Sequence, residues 1–191
     1  MKRESFIGCL LGTAVGDALG LPYEGLSPRR AARLFPNTDR HHFVFGRGMV
    51  SDDTEHACFV AQALIRAKGD VARFQRHLAW SLRWWLLGLP AGIGRATLRS
   101  ILRLWVGLPA KRSGVFSAGN GPAMRSPILR VAFGDCPEKL TAFVRASTEI
   151  TCRPGCPWST CNWTPMPIAL PSAAPAGGVT SSPVTLYGIM A

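Results

Sequence analysis

No aspartate or glutamate follows Glu149 in this chain of 191 residues, and from Cys152 to Ala191 the one charged side chain is Arg153. That stretch therefore holds no carboxylate that could ligate a metal or move a proton. Prolines at 154, 157, 165, 167, 171, 175 and 183 break any helical or alternating period there. Its Pro, Gly and Ser content predicts an irregular tail over residues 152–191. Zinc spacing is missing too. Cys152, Cys156 and Cys161 lie close together without a nearby histidine. Cys9, Cys58 and Cys136 stand alone in apolar surroundings and read as small core residues.

Acid is scarce throughout. There are 11 acidic against 22 basic side chains, a formal net charge of +11. Such a balance suits nucleic acid or an acidic surface. The arginines are spread along the chain, however, and no recognisable nucleic-acid motif accompanies them. Arg95, Arg99 and Arg103 share a helical face that reads as solvated. The apolar run bracketed by Glu4 and Asp17 is too short to span a bilayer. Lys2-Arg3 followed by Phe6 to Val15 has the outline of a leader peptide, but Glu4 and the Gly16-Asp17 pattern fit one poorly.

What is present begins with Ser51-Asp52-Asp53-Thr54-Glu55, placed directly before the apolar run Ala57 to Ala61. Adjacent carboxylates beside a hydrophobic segment need a partner, because desolvating a charge is costly. Two readings stand side by side. Ser51 or Asp52 can be an N-cap, with Asp52 and Glu55 at capping-box spacing. The same oxygens are hard ligands suited to a divalent cation such as Mg²⁺.

Gly8, Gly12, Gly16 and Gly20 recur at every fourth position, which predicts a helix closely packed by a neighbour. Pro22 ends that helix, and Glu24 stands just beyond it; by itself such an acid reads as a solvated loop residue. Farther on, Ser117-Ala118-Gly119-Asn120-Gly121-Pro122 is a flexible loop opening a helix, the shape of an anion site. It lacks the lysine of a P-loop and follows no clear strand.

Between these motifs the period is helical. Val71, Phe74, Leu78, Leu82 and Trp85 form one face, with Gln75, Arg76 and Arg83 on others. A second helix is expected from Ile93-Gly94 to Val106, with Ile101, Leu102 and Trp105 inward. Trp80, Trp84 and Trp85 read as core and groove packing. A last helix opens over Asp135 to Leu140, with Pro137 near its start. His41, His42 and His56 are read as structural or exposed, not as ligands.

Taken together, the glycine ladder with Asp17 and Glu24, Ser51-Asp52-Asp53-Thr54, and Gly119-Asn120-Gly121-Pro122-Ala123-Met124-Arg125 resemble the ADP-ribosylglycohydrolase family over roughly residues 4–151. The resemblance implies an all-α fold, a compact orthogonal helical bundle, in a partial domain over 1–151. It implies a two-metal centre, usually magnesium, with Ser51, Asp52 and Asp53 as its first half. It implies Glu24 as an acid near the metals with a catalytic role. Ser117, Gly119, Asn120 and Gly121 would hold a diphosphate. The implied reaction is hydrolysis of the glycosidic bond between ADP-ribose and a protein side chain or a related compound. The partner is an ADP-ribosylated protein or a small ADP-ribose compound, with no specific nucleic acid and no membrane. A reducing, cytoplasmic setting without disulfides follows from the same likeness.

Two departures matter. The segment Arg145 to Thr151 leads in the family into a histidine, and here Cys152 follows. The family's later acidic cluster, which completes the metal site, has no counterpart after Glu149. Motif, charge and periodicity stop together, so a shifted reading frame or a truncated copy beyond about Thr151 is the expectation, with turnover impaired; the competing account is a natural short variant with its own C-terminal segment. The alternatives are a non-catalytic ADP-ribose-binding remnant and a basic helical protein that binds nucleic acid.

Overall fold

The computed structural model describes residues 3–36, 40–43, 45–90 and 93–156. The expected irregular tail lies beyond these except for residues 152–156.

Among the described residues the regular structure is all α-helical. The helices are α1 (Arg3–Gly20), α2 (Pro28–Leu34), α3 (Asp52–Ala67), α4 (Val71–Trp85), α5 (Arg95–Trp105), α6 (Ala110–Ser113), α7 (Gly121–Phe133) and α8 (Pro137–Thr151). A 3-10 turn, Leu21–Tyr23, continues α1 with Pro22 inside it, and another, Leu86–Gly88, follows α4. Asp70 caps α4 by accepting the Arg73 amide at 2.7 Å. Pro137 stands in the first turn of α8, where its missing N–H is harmless.

Helix α3 is the hub, packing on α4, α7 and α1, while α8 lies across α4 and α7. Each supplies an apolar stripe. Val60, Ala63 and Ala67 of α3 meet Phe74, Leu78 and Leu82 of α4, and Leu140, Phe143 and Ile150 of α8 close the core. Phe143 is edge-on to Phe74 at 5.1 Å and stacked on Phe133 at 4.4 Å. Truncating such a ring removes about 3–5 kcal/mol.

Several expectations change. Gln75 is buried, because its side-chain amide donates to the Ala146 carbonyl at 2.9 Å and to Glu149 at 3.1 Å, tying α4 to α8. In α5 the inward residues are Ile101 and Leu104; Leu102 and Trp105 are exposed. The three-to-four-residue period centred on Ile101 selects 97, 100, 101 and 104, and so turns 102 and 105 outward. Trp80 and Trp84 are exposed also, and only Trp85 of that trio enters the core. Arg103 is not simply solvated, for its guanidinium donates to the Gly114 carbonyl at 2.7 Å. Cys9, Cys58 and Cys136 are half-buried, whereas Cys152 and Cys156 are buried.

The glycine ladder also differs from expectation. A Cβ added at Gly8, Gly12, Gly16 or Gly20 would meet nothing within 4 Å. Helix α1 packs through the opposite side, where Asp17 and Ala18 are buried, and leaves Ile7, Leu11 and Val15 exposed. With its 3-10 extension this helix covers 21 residues and by length and composition is apolar enough to cross a membrane, contrary to the short span expected.

Candidate functional site

The chain between Tyr23 and α3 returns to the C-terminal end of α1, and a buried carboxylate organises the junction. Asp17 accepts the Ser51 amide and the Ser51 hydroxyl, both at 2.7 Å. It also accepts the Thr54 amide at 3.2 Å and the Thr54 hydroxyl at 2.5 Å. So Asp17 caps α3 from another helix. Ser51 occupies the N-cap position but makes no side-chain cap of its own, and Glu55 does not close a capping box. Glu55 instead accepts the Trp85 indole N–H at 2.6 Å. Ser51, Asp52, Asp53 and Thr54 are thereby fixed in one orientation at the start of a rigid helix.

Asp52 and Asp53 face an open cleft of about 290 Å³. Glu24 lines the same cleft from the end of the 3-10 turn, and Ser117, Gly119, Asn120 and Gly121 line its other side. Seven of the eight site residues picked from sequence thus share one cavity, and Ser51 is the exception, sitting behind Asp52 against Asp17. Nearly a hundred residues separate Glu24 from Ser117; helices α1 and α7, which pack on each other, bring them together.

The two walls differ in character. On the acidic side, burial raises Asp52 to about 6, helped by the charges of Asp53 and Glu24. Asp53 is raised by burial and by Asp17, and Glu24 by burial, Asp53 and Asp17. Repelling carboxylates with only hard oxygen donors suit a hard divalent cation. As a complete site they fall short: among the described residues no group of three or more His, Cys, Asp and Glu side chains could hold a metal ion.

The opposite wall is neutral or basic. Asn120 begins α7, Pro122 occupies its first turn, and the Gly119 amide donates to Ser117 Oγ at 2.9 Å, forming a tight turn. Free amides at a helix start favour an anion. Arg95, Thr97, Met124, Thr151 and Cys152 complete the lining. The loop is held from behind, since the Ser117 amide donates to Cys156 Sγ at 3.3 Å and Cys152 Sγ donates to the Ser117 carbonyl at 3.4 Å. Burial and Cys156 push the Cys152 thiol up to about 12. In the position where the family likeness calls for a histidine, this chain has an inert, buried thiol.

Beneath that wall lies Arg125, fully buried. Its Nε donates to Ser147 Oγ at 3.0 Å and its Nη2 to Thr151 Oγ1 at 2.7 Å, while Nη1 has no partner. Burial pulls it down to about 10. His56 is buried beside it with neither ring nitrogen hydrogen-bonded, edge-on to Trp85 at 4.6 Å. Burial first and Arg125 second hold its imidazole well below the usual range, so it is neutral, a core residue as expected.

Sequence reasoning missed Asp17, Arg95, Thr97, Thr151 and Arg125 as parts of this site. Asp17 left a signal, because a carboxylate inside an apolar helix needs buried partners. Arg125 left only its place one turn after the loop.

Known proteins are similar to this chain in sequence. The ADP-ribosylglycohydrolase family model matches residues 1–161. An uncharacterized protein of Archaeoglobus fulgidus is 36% identical over 154 residues, which is 78% of this chain and 50% of that protein. The ADP-ribosyl-dinitrogen reductase glycohydrolase of Rhodospirillum rubrum is 32% identical over 156 residues, 78% of this chain and 51% of that enzyme. The chain therefore spans about half the length of these curated relatives. With the family model matched over most of the described residues and a relative at 32% identity, the chain belongs to the ADP-ribosylglycohydrolase family.

Proposed function

We propose that the cleft binds ADP-ribose and that the chain's reaction is hydrolysis of the glycosidic bond joining ADP-ribose to a protein side chain or related compound. One observation carries this: a single cavity presents Gly119-Asn120-Gly121 on one wall and Glu24, Asp52 and Asp53 on the other. A diphosphate and a ribose are joined in one molecule, and these two walls offer each what it needs.

The Asn120 and Gly121 amides take the diphosphate, with the Arg95 guanidinium at the rim. That remote binding fixes the ribose beside the carboxylates. The anomeric carbon loses its bond to the side-chain atom and passes through an oxocarbenium-like state. Water oxygen bonds to that carbon, one water proton goes to a base, and the departing side chain regains a proton. Glu24, already raised by burial and neighbouring charge, is suited to hold that proton or to stabilise the positive carbon. Asp52 and Asp53 would hold Mg²⁺, which when bound would neutralise their repulsion and orient ribose hydroxyls and water, with Ser51 behind them fixing their direction through Asp17.

A second reading is an ADP-ribose-binding protein with little turnover. It is favoured by the incomplete donor set, since among the described residues no third ligand completes the acidic wall. Incubating the chain with an ADP-ribosylated protein and measuring free ADP-ribose separates the two. Slow release that rises with Mg²⁺ and disappears in Asp53→Asn supports hydrolysis. Binding without release leaves the second reading.

A further inference from the structure

From Val71 to Gly134 the sequence contains no aspartate or glutamate and ten lysines and arginines. Within that stretch α4 and α5 lie side by side and carry an aromatic ledge. Trp80, Trp84 and Trp105 are 53%, 45% and 42% exposed. The Trp84 ring centroid lies 5.4 Å from those of both Trp80 and Trp105, edge to face in each case. The ledge is held still. The Trp105 indole N–H donates to the Arg83 carbonyl at 3.1 Å, and Arg83 donates back to the Leu104 carbonyl at 2.6 Å. Three ordered, exposed tryptophans in one cluster are unusual on a soluble surface and mark a contact region.

Charge and position say what it contacts. Arg76, one turn before Trp80, and Arg99, one turn before exposed Leu102, are both exposed, with no acid on either helix. Helix α5 also runs from the cleft to the ledge: Arg95 lines the cavity, and Arg99 and Leu102 follow on one stripe toward Trp105. Eleven helical residues span roughly 16 Å. A polypeptide whose modified side chain enters the cleft is therefore close enough to lie over the ledge. The rings engage one another edge to face and leave no parallel slot between them, which suits apolar side chains better than stacked bases.

We propose that the α4–α5 face docks an acidic, apolar-bearing segment of the ADP-ribosylated protein, so that the substrate class is a modified protein and not a free ADP-ribose compound. This rests on the ADP-ribose reading of the cleft. Tryptophan and arginine supply the anchors and the partner supplies carboxylates, so affinity falls with added salt.

Two probes separate surface from cleft: a fluorescein-labelled peptide of Glu, Phe, Leu and Gly, and free ADP-ribose. Both are titrated into the full chain, into Trp84→Ala with Trp105→Ala, and into Arg76→Glu with Arg99→Glu. These side chains are exposed and none lines the cleft, so melting temperature serves as the folding control. The expected result is peptide binding at least about tenfold weaker in both double variants, with ADP-ribose affinity unchanged. The same peptide with Lys for Glu is expected to bind at least about tenfold more weakly than the acidic one. Equal binding of the two peptides, or no loss in the variants, overturns the proposal. So does single-stranded DNA that binds more tightly than the peptide and is lost in the same variants. Peptide binding as expected with no ADP-ribose binding overturns instead the reading of the cleft, and with it the assignment of this face to a modified substrate.

Discussion

The carboxylate of Asp17 holds Ser51 twice, through its amide and its hydroxyl, each at 2.7 Å. This contact joins α1 to the start of α3 and sets the direction of Asp52 and Asp53. Replacing Asp17 with Ala leaves four donors without their acceptor, a loss of about 2–4 kcal/mol. Asn retains the shape but turns one acceptor into a donor aimed at donors. Chemical denaturation should rank wild type above Asp17→Asn above Asp17→Ala. Equal stabilities would remove Asp17 from this role.

Gly114 is fixed by close approach. A Cβ there would lie 2.6 Å from the Cys152 carbonyl carbon and 2.7 Å from the Glu149 carbonyl oxygen. Backbone on both sides cannot yield as a side chain can. Gly114→Ala is expected to lose about 1–3 kcal/mol and to displace the Val115–Ser117 strand of chain that supports the diphosphate loop. A melting temperature equal to wild type would contradict that packing.

Acidity provides a third prediction. Folding raises Asp52 from 3.8 to about 6, and raises Asp53 and Glu24 in the same direction. The folded state thus binds protons more tightly than the unfolded chain between about pH 4 and 6. The contribution of Asp52 to stability is fully present below pH 3.8 and is lost as pH rises through about 6, and Asp53 and Glu24 act in the same direction. In the absence of metal the Asp52→Asn variant should therefore gain stability over wild type on going from pH 5 to pH 7. Added Mg²⁺ should stabilise wild type more at pH 7 than at pH 5, because protons compete for the same oxygens. Thermal melts of both proteins at the two pH values measure this; an identical pH dependence would rule it out.

Arg125 invites a different test. It is fully buried, carries a charge and faces no carboxylate partner among the described residues. Replacing a buried guanidinium that has no counter-ion with an apolar chain of similar volume removes a costly desolvated charge, which offsets the donors lost by Ser147 and Thr151. Arg125→Met should stay within about 1 kcal/mol of wild type or exceed it. It should still bind ADP-ribose several-fold more weakly, because Thr151 in the cleft wall loses its 2.7 Å tether and the anion side loses its positive charge. Unchanged affinity would make Arg125 purely structural.

Much of this site was legible in sequence because its parts are short-range signals. Ser51-Asp52-Asp53 and Ser117 to Gly121 each declare themselves within a few residues, and the helical period around Phe74 and Leu78 predicted α4. What escaped was set at a distance. The capping-box spacing of Asp52 and Glu55 is real, yet Trp85, 30 positions away, takes Glu55, and Asp17, 34 positions before Ser51, does the capping. The outward turn of Trp84 and Trp105 follows from which side of α4 and α5 meets the core, and aromatic size alone does not reveal it. The glycine ladder promised a close neighbour, and among the described residues none lies there.

Calorimetric titration of ADP-ribose into this chain, with and without Mg²⁺, asks whether one cavity holds both diphosphate and metal-bound ribose. Binding that strengthens with Mg²⁺, weakens in Gly119→Asp, and loses its Mg²⁺ response when Asp52 and Asp53 are both Asn is the expected outcome. No heat of binding in wild type, or an affinity indifferent to Mg²⁺ and to both aspartates, would contradict it.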